Sequence, residues 1–158
     1  MFLNIYNLAA IYYDKEQRLS MLLFLNGERL TSKRKPTVLL NHFCNCHGST
    51  LQGRIASAQT VLGIKQKSPV MVCLAMNCCF FPTQSFKNEN CIWIQARMVT
   101  TIVSINSTQT KVMFGEENWI EVEGGIRSIR KQIDRCKRYY LKITMPIDKR
   151  TFDEIIGI

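Results

Sequence analysis

Acidic residues are scarce in this sequence: 12 Asp and Glu stand against 21 Lys and Arg in 158 residues, a formal charge of +9. The corresponding pI is near 9.4. No two carboxylates are paired in an apolar run, so acid–base catalysis by such a pair has no candidates. A phosphate loop, a Gly-x-Ser-x-Gly elbow and a dinucleotide fingerprint are also missing, and we expect no enzyme, no catalytic residue and no cofactor. Long apolar runs are absent too. The longest uncharged stretch, Ser68 to Phe86, is interrupted by Pro69, Asn77, Pro82 and Gln84. Its apolar part of about a dozen residues falls short of the ~20 that cross a bilayer. The opening MFLNIYNLAAIYY lacks the basic segment that starts a secretion signal. Seven cysteines (Cys44, Cys46, Cys73, Cys78, Cys79, Cys91 and Cys136) are an odd number, which suits reduced thiols in a cytoplasm better than a secreted disulfide framework.

What is present is positive charge on a chain long enough for one core. An excess of this size on a small domain points to a polyanionic partner, nucleic acid before membrane. Residues 2–13 and 19–25 are rich in Ile, Tyr, Leu and Phe and flank a polar DKEQR loop, the pattern of a hairpin. Asn26-Gly27 signals a turn, and the basic Lys33, Arg34 and Lys35 lead through Pro36 to a strand that resumes at Val38, Leu39 and Leu40. VMVCL and CCFFP follow as apolar strands. CIWIQ alternates so that Cys91, Trp93 and Gln95 share one face and Ile92 and Ile94 the other. Meander strands follow over 97–105, 110–114 and 118–123, and their alternation buries both Trp93 and Trp119.

Two segments carry helical spacing. From His42 to Gly63 a cysteine-bearing strand end runs into a helix of about 50–62, with Ser49 and Gln52 as a capping box, Leu51, Ile55, Ala58 and Leu62 as its apolar positions, and Gly63 as its C-terminal cap. From about 126 to 143, Ile126, Ile129, Ile133, Cys136, Tyr140 and Ile143 recur at helical intervals. Arg127, Arg130, Lys131, Arg135, Lys137, Arg138 and Lys142 fall on the opposite arc, against a single acid, Asp134. Seven bases exceed what solubility requires, and phosphate contact is the favoured reading. Pro146 ends this helix, leaving a short tail or last helical turn over 146–158. The fold class that results is α+β, a single domain of mainly antiparallel strands with one capped helix and one basic amphipathic helix.

Cys44, Cys46 and His47 offer three possible metal ligands, but the paired Cys-x2-4-Cys knuckles of structural zinc sites are missing. A thiol–imidazole pair for nucleophilic catalysis would also need a third, orienting group. We assign no metal.

Several strings together carry a specific resemblance. CNCHGSTLQGR, IKQKSPVMV, FFPTQSFKNENCIWI, KVMFGEENWIEV and RCKRYYLKI resemble, in order and spacing, the competence transcription factor family, ComK, over about Asn4 to Lys142. The chain is similar to the family in Cys44, Gly48-Ser49 and Gly53-Arg54, and departs from it at Asn41, His42 and Asn45, at Lys65, Gln66 and Lys67, and in a shorter C-terminal tail, as a diverged or shortened paralogue would. The resemblance implies a bacterial activator of DNA-uptake genes that binds double-stranded A/T-rich boxes largely through the minor groove, as a homo-oligomer. It further implies a cytoplasmic, nucleoid-associated protein, no membrane partner, and a protease adaptor as an additional partner. A/T tracts narrow the minor groove and deepen its negative potential. On this reading Arg54, Lys65 and Lys67 lie near the groove, while Arg127, Arg130, Lys131, Arg135, Lys137 and Arg138 hold phosphates. The N-H groups opening the 50–62 helix accept a further phosphate. Two alternatives stay open: a single-strand binder stacking bases on Trp93, Trp119, Tyr139 or Tyr140, and a protein-interaction paralogue without specific promoter binding.

Overall fold

A computed structural model of the protein describes residues 3–158. Phe2, counted above in the first strand, lies outside them. Asn4 caps a single 3-10 turn, Ile5–Asn7, so the first strand begins later than the apolar pattern suggested. Strand β1 (Leu8–Asp14) pairs antiparallel with β2 (Leu19–Phe24). The Asp14 carboxylate accepts the backbone N-H groups of Glu16 and Gln17 at 3.0 and 3.2 Å, a local bond that turns the chain. At Asn26-Gly27, Gly27 has φ +85°, and the chain returns as β3 (Arg29–Ser32), a short strand that the charged composition had concealed.

The segment expected to be a strand at Val38–Leu40 is instead helix α1 (Pro36–Asn45). A short apolar run does not by itself separate strand from helix. Pro36 at the first helical position and the four-residue spacing of Leu39 with Phe43 and of Leu40 with Cys44 decide it: the latter pair is buried and the former packs beside it. Cys44 and Cys46 therefore sit at a helix end and not at a strand end. Helix α2 (Leu51–Leu62) follows after a short turn. Its cap is Thr50 and not Ser49: Thr50 Oγ1 accepts the Gly53 N-H at 2.9 Å. Gly63 closes α2 in the left-handed region, φ +64°.

Strands β4 (Val70–Cys73), β5 (Cys78–Pro82) and β6 (Trp93–Gln95) complete an antiparallel six-stranded sheet in the order β3-β2-β1-β6-β5-β4. A second, three-stranded sheet holds β7 (Thr101–Asn106), β8 (Gln109–Met113) and β9 (Trp119–Glu123). A 3-10 turn at Ala96–Met98 occupies the residues expected to open β7. Helices α3 (Ile126–Thr144) and α4 (Lys149–Ile156) end the fold. Gly125 opens α3 because a Cβ there would stand 2.8 Å from the Ser107 carbonyl oxygen.

Period-two alternation divides the large sheet into two cores. Ala9, Leu23, Met71, Cys79, Phe81 and Ile94 face α3 and the small sheet. Leu8, Ile11, Leu22, Val70, Phe80 and Trp93 face α1. Both faces are covered, so β4, β5 and β6 are buried at every position. Helix α2 bridges the two cores, with Ile55 in one and Ala58 and Leu62 in the other. The Cys91/Trp93/Gln95 face is as the alternation predicts, and the Gln95 amide donates to the carbonyls of Ile5 and Leu8 at 3.1 and 2.7 Å.

Trp119 departs from its expected burial. It is 43% exposed because only the inner face of the small sheet, with Val112 and Val122, meets the core. On the outer face Lys111 Nζ stands 4.0 Å from its ring centroid. The closing segment is a two-turn helix, α4, whose Phe152, Ile155 and Ile156 are exposed. Among the described residues no helix is long and apolar enough to cross a membrane.

The cap assignment is testable by equilibrium urea unfolding. Thr50→Ala should cost about 1 kcal/mol, whereas Ser49→Ala should change stability by no more than about 0.5 kcal/mol; the reverse order would return the cap to Ser49.

Candidate nucleic-acid interface

Helix α3 carries its charge on the arc its packing leaves free. Ile129, Gln132, Cys136 and Tyr139 are buried, while Arg127, Arg130, Lys131, Lys137, Arg138 and Lys142 are exposed and Arg135 is half-buried. Ile133, Tyr140 and Ile143, read from the sequence as its apolar stripe, pack at the edge of the core. Tyr139 takes the central place: its hydroxyl shares a hydrogen bond of 2.5 Å with Ser57 Oγ on α2.

Gln132 and Arg135 tie this helix to the segment between α2 and β4. The Gln132 amide donates to the carbonyls of Lys67 and Pro82 at 3.2 and 2.8 Å. Arg135 Nη1 donates to the carbonyl of Gln66 and to Gln132 Oε1 at 3.1 and 3.0 Å. Lys142 Nζ reaches the Val61 carbonyl at 3.4 Å. Lys65, Lys67, Lys131 and Arg135 consequently lie on one continuous surface, with a shallow depression between Gln66, Lys67, Ser128 and Lys131. Lys67 holds φ +52°, a conformation rare for a side-chain-bearing residue, and the bonds from α3 to its carbonyl fix it there. Lys137 faces a different neighbourhood, a depression shared with Asn77 and Arg97.

Arg54, grouped with Lys65 and Lys67 by the sequence reading, stands about 12 Å before the end of α2 at 1.5 Å per residue. Its Nη2 donates to the His47 carbonyl at 3.1 Å, and its Nε is buried without a partner among the described residues. The structure therefore ties Arg54 to the α1–α2 turn and does not bring it to the lysine cluster. The start of α2 is largely satisfied as well: Leu51 N-H bonds Asn41 Oδ1 at 2.9 Å and Gly53 N-H is taken by Thr50. Sequence reasoning missed Lys87, which the 83–90 loop brings opposite Lys65 and Lys67; its neighbours in sequence carry no signal of that placement.

The aromatic platforms of a single-strand binder are reduced. Trp93 and Tyr139 are each 1% exposed, which leaves Trp119 and the half-buried Tyr140.

The cysteines behave as packing groups. Cys44 is fully buried whereas Cys46 is exposed, so the two thiols do not converge on one point. Desolvation pushes the Cys44 thiol up to about 11 despite the nearby Arg54 guanidinium, and Cys78 up to about 12. Cys91 is raised to about 11 by burial. Cys79 lies well above the ordinary thiol range through its hydrogen bond to Cys136 and its burial.

A basic α+β domain with its cationic helix bonded to a lysine-bearing loop is the class these features define. The protein-family model described as "ComK protein" matches residues 6–148, and the chain belongs to that family. It is also similar to the "Competence transcription factor" of Bacillus subtilis (strain 168), 28% identical over 116 residues, 73% of this chain and 60% of that protein. No solved structure matches the chain.

Gln132→Leu should cost about 1–3 kcal/mol in urea unfolding, because it strands the buried carbonyls of Lys67 and Pro82; no loss would mean that α3 and the loop are held by apolar packing alone. In the folded protein at pH 8, a thiol reagent should modify Cys46 quickly and the other six cysteines only on unfolding. Rapid modification of more than one thiol would contradict the burial.

Proposed function

We propose that this chain is a DNA-binding activator of competence genes that recognises A/T-rich boxes largely through the minor groove and works as a multimer. The observation that carries the reading is the single cationic surface on which Lys131 and Arg135 of α3 meet Lys65 and Lys67. Its relative in Bacillus subtilis is named "Competence transcription factor", and the family relation supports the same activity for this chain. Lys131, Arg127 and Arg138 hold phosphates and set affinity, while Lys65 and Lys67, on the loop that α3 holds rigid, face the narrow groove and set preference. Arg54 acts one step back by fixing the α1–α2 turn. The apolar residues exposed on the outer face of the small sheet, Val103, Ile105 and Trp119, give the multimer a surface to form on.

The test is binding to two fluorescent duplexes of about 30 base pairs, one with two A/T boxes and one G/C-rich, across a salt series. Tighter binding to the A/T duplex with a steep salt slope is the expected result. Lys131→Ala with Arg138→Ala should weaken binding to both duplexes alike and flatten the slope by about one unit per lost contact. Weak, equal binding of the parent protein to both duplexes would overturn the reading.

A further inference from the structure

Three lysines converge where α2, residues 65–68 and residues 85–87 meet. Lys65, Lys67 and Lys87 line a depression of about 350 Å3 there, with Gln59, Ser68 and Ser85 beside them. Among the described residues none of the three lysines forms an ion pair with a carboxylate. Two acids at the same loop are engaged elsewhere: Glu89, two residues after Lys87, pairs with Lys15 and Lys35, and Glu123 accepts from Gln84. Lys67 is half-buried, and its charge reaches the buried Cys91 beneath the 83–90 loop. Three like charges drawn together without a counter-charge repel one another, and an anion placed among them removes that repulsion.

A second, independent observation comes from Ser68. It is 6% exposed, lines the same depression, and its Oγ is buried without a hydrogen-bond partner among the described residues. Buried hydroxyls are nearly always satisfied, and one without a partner in the wall of a cationic hollow can turn its proton to an anion seated there. The frame around it is rigid: α3 bonds the Lys67 carbonyl immediately before it, and Gln59 Nε2 bonds the Lys65 carbonyl at 3.1 Å. A tetrahedral oxyanion suits three ammonium groups and a hydroxyl donor better than a planar carboxylate does, since its oxygens point to separate donors.

We propose that this depression is a seat for one phosphate group, occupied in the working protein by a backbone phosphate of the nucleic acid. Lys65, Lys67 and Lys87 supply the charge and the Ser68 hydroxyl supplies a hydrogen bond. The identity of the occupant rests on the DNA-binding reading; the phosphate chemistry of the seat does not. The seat gives Lys65 and Lys67 a phosphate contact at the edge of the groove they face, and adds Lys87 and Ser68 to the interface. It also fixes the register of the duplex against the basic helix, because Lys67 is joined to α3 through Gln132.

Two measurements on the full chain test the proposal together. The first follows the backbone amides of Ser68 and Lys87 by NMR while inorganic phosphate replaces chloride at constant ionic strength. The second compares salt slopes on the A/T-rich and G/C-rich duplexes for the parent protein, Lys87→Gln and Ser68→Ala. Lys87 is exposed on its loop, so Lys87→Gln removes charge without disturbing the core. Phosphate should shift both amides in the parent and less in either variant. Lys87→Gln should weaken both duplexes alike, by about threefold to tenfold, and lower the salt slope by about one unit, while Ser68→Ala should weaken binding with the slope unchanged. No amide shift with phosphate and an unaltered slope in Lys87→Gln would overturn the seat, even with duplex binding by the parent intact. Amide shifts with phosphate but no duplex binding by the parent would overturn the nucleic acid as occupant and leave a free phosphate or small phosphoester in the seat.

Discussion

The buried amide of Gln132 is the constraint on which the rest of the basic surface depends. It faces the core from α3 and donates to two carbonyls, those of Lys67 on the loop after α2 and of Pro82 at the end of β5. Each bond contributes on the order of 1 kcal/mol net, but a stranded buried carbonyl costs more than a made bond gains. Sheet, loop and helix are thus held in one arrangement more by what breaking it would cost than by what forming it adds. The Arg135 bonds to Gln66 and Gln132 lie against the same joint, and a left-handed Lys67 can be maintained because they over-determine it.

Charge segregation follows from the same geometry. Apart from Asp134 on α3 itself, these acids lie off the basic helix: Glu89 beside Lys15 and Lys35, Asp153 and Glu154 paired with Lys149 and Arg150 along α4, Glu121 and Glu123 on β9. Such exposed pairs add little stability. Their effect is on where the excess charge resides, since the cations they neutralise are not those of α3 or the 65–67 loop. Part of the excess charge of a chain with +9 therefore stays uncompensated on the face that Gln132 assembles, and such a charged face steers a polyanion.

Much of the fold was legible because strand alternation is a strong local signal. Cys91, Trp93 and Gln95 could be assigned to one face from period two alone, and the Gly63 stop and the extent of α3 from helical period and turn chemistry. The failures have a common cause, which is that local pattern cannot report what lies above a face. Val38–Leu40 reads equally as strand or helix until Leu40 and Cys44 are seen buried together. Trp119 alternates as a core residue would, yet among the described residues no element covers the outer face of the small sheet. Ser49 and Thr50 are both good caps, and only the turn geometry chooses between them. The site was legible as composition and not as arrangement: the bases of α3 were plain, but the joining of Lys67 to α3 depends on a contact made across 65 residues, and Lys87 meets Lys65 and Lys67 only as part of the wall of a shared depression.

The two arginines that bind backbone carbonyls illustrate how arrangement separates chemically equal residues. A guanidinium has five N-H donors in a planar fork. Arg135 spends Nη1 on the loop and on Gln132 and lines the depression shared with Lys67 and Lys131, where it can meet a phosphate while its bonded donor holds the loop in register. Arg54 also bonds a carbonyl, but its Nε is buried and its charge lies over Cys44, whose thiol it opposes in rising. An incoming phosphate would have to compete with the α1–α2 turn for that group. In the proposed complex Arg135 is both scaffold and contact, whereas Arg54 is scaffold alone, and the difference follows from the neighbours the fold gives each fork, Lys67 and Lys131 for Arg135 and the α1–α2 turn for Arg54.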